Sequence, residues 1–205
     1  MSRPAAAWRS VLFVPAHVPR FIEAAPRSGA DAIQLDLEDS VPATQKTAAR
    51  EELAAAVAGL KADDIEVLVR INRDLRNAVA DLAGAVVAGV RAISVPKVSS
   101  AEHLQLVDEL VSELEIERSL PVGGIGFIAM VESLAGLERV ESIARSCQRL
   151  VGVTLGSEDF SADAGIEPTT ANLFNPCQRL LFAARDAGVQ AYGFPGSIAE
   201  YGNLD

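Results

Sequence analysis

Ionisable side chains in this sequence recur at the ends of short apolar runs. Asp36, Glu38 and Asp39 close the run Ala32–Leu37, Arg70 closes Glu66–Ile71, and Lys97 follows Ala92–Val95 after Pro96. Glu132 closes Gly126–Val131, and Glu158 and Asp159 follow Leu150–Leu155. If these runs are strands of one sheet, residues far apart in sequence converge on one rim. Several carboxylates in one mouth repel each other or take up protons. A hard divalent ion resolves that conflict, and Mg²⁺ needs only one or two carboxylates while keeping positions for water and substrate oxygens. Glu132 and Asp159 are the expected ligands, because they end neighbouring runs. Arg70 offers a planar fork for a substrate carboxylate. The competing reading is that these charges only pair as salt bridges at the sheet end.

The runs alternate with helical stretches. Two more runs, Val11–Pro15 and Val189–Gly193, complete a set of seven, and the spacing predicts helices over Thr44–Leu60, Ala78–Ala88, Ala101–Ile116, Leu134–Ser146 and Pro176–Ala187. Ser100 reads as an N-cap, Asn175–Pro176 as an N-cap with proline at the first helical position, and Gly188 as a C-terminal stop. Strand–helix repetition implies a parallel sheet, since parallel neighbours need crossover connections. An open doubly wound sheet and a TIM-type (β/α) barrel both fit that pattern. In Ala32–Asp39, residues Gln34, Asp36 and Glu38 share one strand face while Ile33, Leu35 and Leu37 share the other. Strands covered by helices on both faces read almost wholly apolar, so this alternation favours the barrel, whose active sites assemble where the strands end. The reading is therefore a single α/β domain over residues 1–205, a TIM-type barrel lacking the eighth βα unit.

In order along the chain stand Arg-Ser-Val-Leu-Phe-Val-Pro (9–15), Leu-Asp-Leu-Glu-Asp-Ser-Val (35–41), Val-Arg-Ile-Asn (69–72), Val-Pro-Lys (95–97), Val-Glu-Ser (131–133) and Gly-Ser-Glu-Asp (156–159). Each motif is weak alone, but together they are specific. The series resembles the citrate lyase β-subunit-like branch of the HpcH/HpaI aldolase family. That resemblance implies a Mg²⁺-dependent carbon–carbon lyase that cleaves a 3-hydroxyacyl thioester, such as citryl-, citramalyl- or malyl-CoA, into a keto acid and acetyl-CoA. Carried over motif by motif, Glu132 and Asp159 bind the metal and Arg70 the keto-acid carboxylate. Glu38 and Asp39 support the site near bound water or the metal's outer shell. Arg9, Phe13 and Arg20 receive the carrier arm, which is CoA or an acyl carrier, and Lys97 joins the substrate contacts. Relatives continue through about one more βα unit and a segment that can bring a catalytic Asp, so the general acid/base stays unassigned. Two other enzymatic or family readings remain: a pyruvate-type aldolase on free keto acids, and a non-catalytic, regulatory member.

The chain has 205 residues, 49% of them apolar and 22% charged, which are globular proportions. Lys and Arg total 18 against 28 Asp and Glu, a formal charge of −10. Nucleic-acid binding needs a basic face and is not expected, nor is a membrane partner, since no apolar run reaches the roughly 18 residues of a spanning helix. Cys147 and Cys177 have neither metal-ligand spacing nor a disulfide framework, which suits a cytoplasmic protein with reduced thiols. Gly123–Gly126 precedes a strand instead of following one, so it reads as a turn and not a nucleotide-binding loop. His17 reads as a solvated loop side chain and His103 as exposed on a charged helix, while Phe174, Leu181 and Phe182 read as a core-facing stripe. An incomplete barrel has bare edges that invite pairing, so a homo-oligomer is expected, a trimer or hexamer by analogy with the family.

Overall fold

A computed structural model describes residues 8–199. Seven strands form one parallel sheet in sequential order: β1 Val11–Pro15, β2 Ala32–Asp36, β3 Glu66–Arg70, β4 Val90–Val95, β5 Gly126–Val131, β6 Leu150–Leu155 and β7 Gln190–Tyr192. The connections carry helices α1 Pro19–Ala24, α2 Lys46–Ala62, α3 Leu75–Ala85, α4 Ala101–Glu117, α5 Leu134–Glu138, α6 Val140–Ala144, α7 Ser157–Ala164 and α8 Thr170–Ala187. Among the described residues no helix is long and apolar enough to cross a membrane.

The sheet is curled, and its two faces bury different sets of residues. Ile33, Leu35, Val67, Val69, Ile93, Phe127, Ala129 and Val153 face outward and pack with the helices. Trp8, Ala32, Leu68, Ala92, Ile128 and Val151 form a second cluster on the inner face, with Val11 and Tyr192 against it. In a flat sheet, strands about 4.8 Å apart would separate β1 from β7 by roughly 29 Å. Instead the rings of Trp8, just before β1, and Tyr192, in β7, stack with centroids 6.2 Å apart. The expected α/β barrel geometry is therefore present as a curled half-barrel, and among the described residues β1 and β7 do not pair with each other.

Local signals explain most boundaries. Ser100 and Ser133 accept hydrogen bonds from the backbone N–H of His103 and Gly136 and so cap α4 and α5. Asp74 caps α3 through Asn77 N–H, starting it three residues before the expected Ala78. Gly188 ends α8 in the left-handed region at φ 69°, a conformation that costs a side-chain-bearing residue more than glycine.

Several expectations need correction. The stretch Leu134–Ser146 is two short helices, interrupted at Arg139 with φ −108° and ψ 15°. Asn175 is not the cap of the last helix. Thr169 is, accepting from Asn172 N–H, and Pro176 lies inside α8 on its buried face. That face is Leu173, Pro176, Leu180, Ala183 and Ala184. Phe174, Leu181 and Phe182 fall one position off it and are exposed. His103 is half-buried, not exposed. Among the described residues its Nδ1 has no hydrogen-bond partner, and burial, aided by the charge of Arg73, pushes its pKa down to about 4.

Gly152 makes room for the closure between Trp8 and Tyr192, because a Cβ there would run into the Tyr192 ring. Gly152→Ala should lower stability by about 1–3 kcal/mol in urea denaturation and red-shift the emission of Trp8, the only tryptophan in the sequence. Unchanged emission and stability would contradict this packing.

Candidate active site

Parallel strands in register bring their C-terminal ends to one rim. Pro15 lies opposite Asp36, Asp36 opposite Arg70, and Arg70 opposite Ser94. Asp36 is 1% exposed and grips the Arg70 guanidinium through two bonds, Nε to Oδ1 at 2.6 Å and Nη2 to Oδ2 at 2.7 Å. The same carboxylate accepts Glu38 N–H, Ser40 N–H and the Ser40 hydroxyl, so it also folds the turn that follows β2. Burial works against its ionisation, but Arg70 and these donors hold its pKa below the ordinary value. The fork that Arg70 offers is thus engaged within the protein. Only Nη1 turns toward Glu38 and Asp39, at 3.0 and 3.5 Å. Phe13 stands against the guanidinium, with Cζ 5.4 Å from the ring centroid.

Lys97 ties the rest of the rim together. Its backbone N–H donates to Glu132 Oε2 at 2.7 Å, while its Nζ donates to Glu38 Oε1 at 2.8 Å and lies 3.0 Å from Asp159 Oδ2. Asp159 does not end the strand as the sequence suggests. It sits in the first turn of α7, where the helix dipole favours negative charge. Glu132 is 6% exposed, and burial together with the charge of Glu38 pushes its pKa up to about 7. Glu38 is also raised, chiefly by burial and against its bond to Lys97. Glu38 Oε2 is paired with Arg70 Nη1 by charge, 3.0 Å away, without a well-aligned hydrogen bond. Gly156 shapes the Glu132 pocket, since a Cβ there would stand 2.5 Å from Glu132 Oε1.

A second layer that sequence reasoning missed braces this rim. Lys46 Nζ donates to Leu37 O, Glu38 O and Asn72 Oδ1 at 2.7–2.9 Å. Asn72 Nδ2 and N–H donate in turn to Asp81, which is fully buried and also accepts from Arg50 Nε. The ends of β2 and β3 are thereby fixed to α2 and α3. Asn72 lies in the Val-Arg-Ile-Asn motif and was visible as such, but nothing in the sequence singles out Lys46 or Asp81. A cleft of about 510 Å³ opens here, lined by Glu38, Asp39, Lys46, Asn72, Arg73 and Lys97.

Other expected residues lie elsewhere. Arg9 is at the opposite, N-terminal rim, where its guanidinium and backbone N–H hold Asp31, the length of β1 away from the mouth. Arg20 begins α1 with its guanidinium 4.8 Å over its neighbour Phe21. Glu158 faces the segment after β7, accepting from Ser197 Oγ and Ile198 N–H.

Among the described residues no three Asp, Glu, His or Cys side chains are gathered closely enough to cage a metal alone. The donors present nonetheless suit a hard divalent ion that takes few protein ligands. Glu132 has a raised proton affinity, and Asp159 and Glu38 reach the same ammonium, so their oxygens converge on one point.

The chain matches the HpcH/HpaI aldolase/citrate lyase family over residues 9–195. It is 33% identical to the citrate lyase subunit beta of Leuconostoc mesenteroides over 90% of this chain and 62% of that protein. It is 37% identical to an L-malyl-CoA/beta-methylmalyl-CoA lyase of Cereibacter sphaeroides over 81% of this chain and 53% of that one. The chain therefore spans less than two thirds of these relatives. The citrate lyase beta subunit of Mycobacterium tuberculosis, solved with oxaloacetate and magnesium, superposes with a TM-score of 0.68 at 28% identity, covering 91% of this chain and 78% of that one.

Glu132 has a higher proton affinity folded than its ordinary 4.5. Its protonated form favours folding, so its contribution is whole below pH 4.5 and is lost as pH rises through about 7. In chelator-containing buffer, Glu132→Gln should be more stable than the wild type at pH 8 by roughly 2–3 kcal/mol, with the gap closing near pH 4.5. Denaturation midpoints at the two pH values measure this, and an equal gap at both would refute it.

Proposed function

The chain belongs to the HpcH/HpaI aldolase/citrate lyase family, and from that premise we propose that it is a Mg²⁺-dependent carbon–carbon lyase. Its substrate is a 3-hydroxyacyl thioester of the citryl, citramalyl or malyl type, and its products are a keto acid and an acyl-CoA. The observation that carries this reading is the meeting of Glu38, Arg70, Lys97, Glu132 and Asp159, from five successive βα units, around one mouth. The magnesium-bound relative solved with oxaloacetate and the relative named as a malyl-CoA lyase support it.

Glu132 and Asp159 would hold the ion, which when bound polarises the substrate's hydroxyl and carboxylate oxygens. Arg70 receives the keto-acid carboxylate on Nη1, the one nitrogen turned to the mouth, while Asp36 keeps the guanidinium plane fixed. Phe13 walls the same pocket and limits water around the reacting carbons. Glu38 and Asp39 stand nearest the Arg70 and Lys97 cations. The raised proton affinity of Glu38 suits it to hold a proton there. Arg20, at the start of α1, is the remaining candidate for the carrier arm.

Incubating the isolated chain with Mg²⁺ and citryl-, citramalyl-, malyl- and methylmalyl-CoA tests the reading through keto-acid release. Turnover should vanish in chelator, and Glu132→Ala and Asp159→Ala should each lower it by 100-fold or more, an order-of-magnitude expectation for losing a metal ligand. Arg70→Ala should chiefly raise KM for the keto acid in the condensing direction. Full Mg²⁺-dependent activity in Glu132→Ala would sink the assignment. Cleavage of free keto acids without thioester binding would favour a pyruvate-type aldolase.

The same reading includes self-association. Among the described residues β1 and β7 have unpaired outer edges, and α8 exposes Phe174 and Phe182. Light scattering should give a multiple of 21.6 kDa, with a trimer or hexamer as the proposed state. A monodisperse monomer would overturn it.

A further inference from the structure

We propose that Lys97 is a resident counter-cation of the acidic mouth, displaced when a divalent ion enters. This rests on the lyase reading above and extends it to how the site is held together before metal binds. The first observation is backbone conformation. Lys97 has φ 51°, in the left-handed region that residues with a side chain seldom occupy. Both flanks are pinned: Arg73 Nε donates to Lys97 O at 3.2 Å, and Val98 N–H donates to Met130 O at 2.9 Å. Conformations of this sort persist only where surrounding structure enforces them.

The second observation is what that conformation accomplishes. It turns the backbone N–H of Lys97 to Glu132 Oε2 while the side chain reaches Glu38 Oε1 and Asp159 Oδ2, with Asp39 Oδ1 3.8 Å away. One residue thereby bridges carboxylates that come from β2, β5 and α7. Among the described residues Asp36, Glu38, Asp39, Glu132 and Asp159 outnumber the two cations that bond to them, Arg70 and Lys97, while Lys46 donates to neutral acceptors and Arg73 to Lys97 O. An ammonium carries three donors and no acceptor, and here it lies among the oxygens a divalent cation would use. Burial works against its charge, but the bonds to Glu38 and Asp159 keep its pKa above the ordinary lysine value.

An ammonium and a divalent ion cannot both sit on Asp159 without strong repulsion. The two contacts of Lys97 differ in kind. The bond from its backbone N–H to Glu132 belongs to a fixed main chain and stays. The Nζ contacts belong to a flexible four-carbon stem that is 39% exposed and borders the cleft of about 510 Å³. Metal entry therefore releases Nζ toward the cleft without undoing the anchor of Glu132. Before metal binds, Lys97 keeps the carboxylates from driving each other apart.

Two measurements test this. Calorimetric titration with Mg²⁺ should show Lys97→Met binding the ion about tenfold or more tightly than the wild type, since no ammonium competes. In the wild type, acetylation of Lys97 by acetic anhydride, read by peptide mass spectrometry, should rise when Mg²⁺ is added. Equal or weaker Mg²⁺ binding by Lys97→Met would overturn the proposal, as would acetylation of Lys97 that falls or stays constant in Mg²⁺. The labelling experiment needs no variant, so it decides the question even if Lys97→Met fails to fold. If neither protein binds Mg²⁺, the metal-dependent reading itself fails, a result distinct from unaltered binding in the variant.

Discussion

The grip of Asp36 on Arg70 is the interaction on which the site depends. A buried carboxylate is costly unless it is paired and hydrogen-bonded, and Asp36 meets both conditions by engaging two guanidinium nitrogens and three donors of the Glu38–Ser40 turn. It thereby sets two things at once: the plane of Arg70 and the path of the chain that delivers Glu38 and Asp39. Replacing it with a neutral residue would leave a buried cation beside Glu38 and a turn without its acceptor. Behind this pair, Lys46 fastens the same turn from the other side using only neutral acceptors. The turn is thus held between an anion that faces inward and a cation at the helix side.

The charge of the whole protein runs against its proposed substrate. A chain of net charge −10 repels an anionic thioester at long range. In the cleft Lys46, Arg73 and Lys97 stand beside Glu38, Asp39 and Asp74, so the negative charge is offset where a substrate carboxylate would approach. Field at such short distance matters more than net charge, since charges beyond about 8–10 Å are screened at ordinary salt.

Much of this was legible in the sequence, for physical reasons that also explain the failures. Strands β1, β5 and β6 have the boundaries that their sequences imply, because a short apolar run between polar or helical stretches has few other solutions. The rim cluster followed from it, since parallel register carries strand ends to one side. Position along a helix was harder to read. Phe174 and Phe182 belong to an apolar-looking stripe, yet the buried stripe is the adjacent one led by Leu173 and Leu180, and periodicity alone does not choose between neighbouring faces. Asp159 was assigned to a strand end because the short helix α7 begins right after Gly156 and carries no side-chain cap. Arg9 stands two residues before β1 and so falls at the opposite rim, where Asp31 holds it, while Phe13 within β1 reaches the Arg70 guanidinium. Lys46 and Asp81 act through partners distant in sequence, and no local pattern announces them.

The sequential strand order has a consequence for how the protein acquires its chemistry. Glu38, Arg70, Lys97, Glu132 and Asp159 are each delivered by a different βα unit, so a shorter fragment of the chain carries only part of the site. Polypeptide emerging from β1 through β4 holds Arg70 and Lys97 but neither Glu132 nor Asp159. The cluster is therefore complete only when the last of these units folds and the first turn of α7 docks beside Lys97.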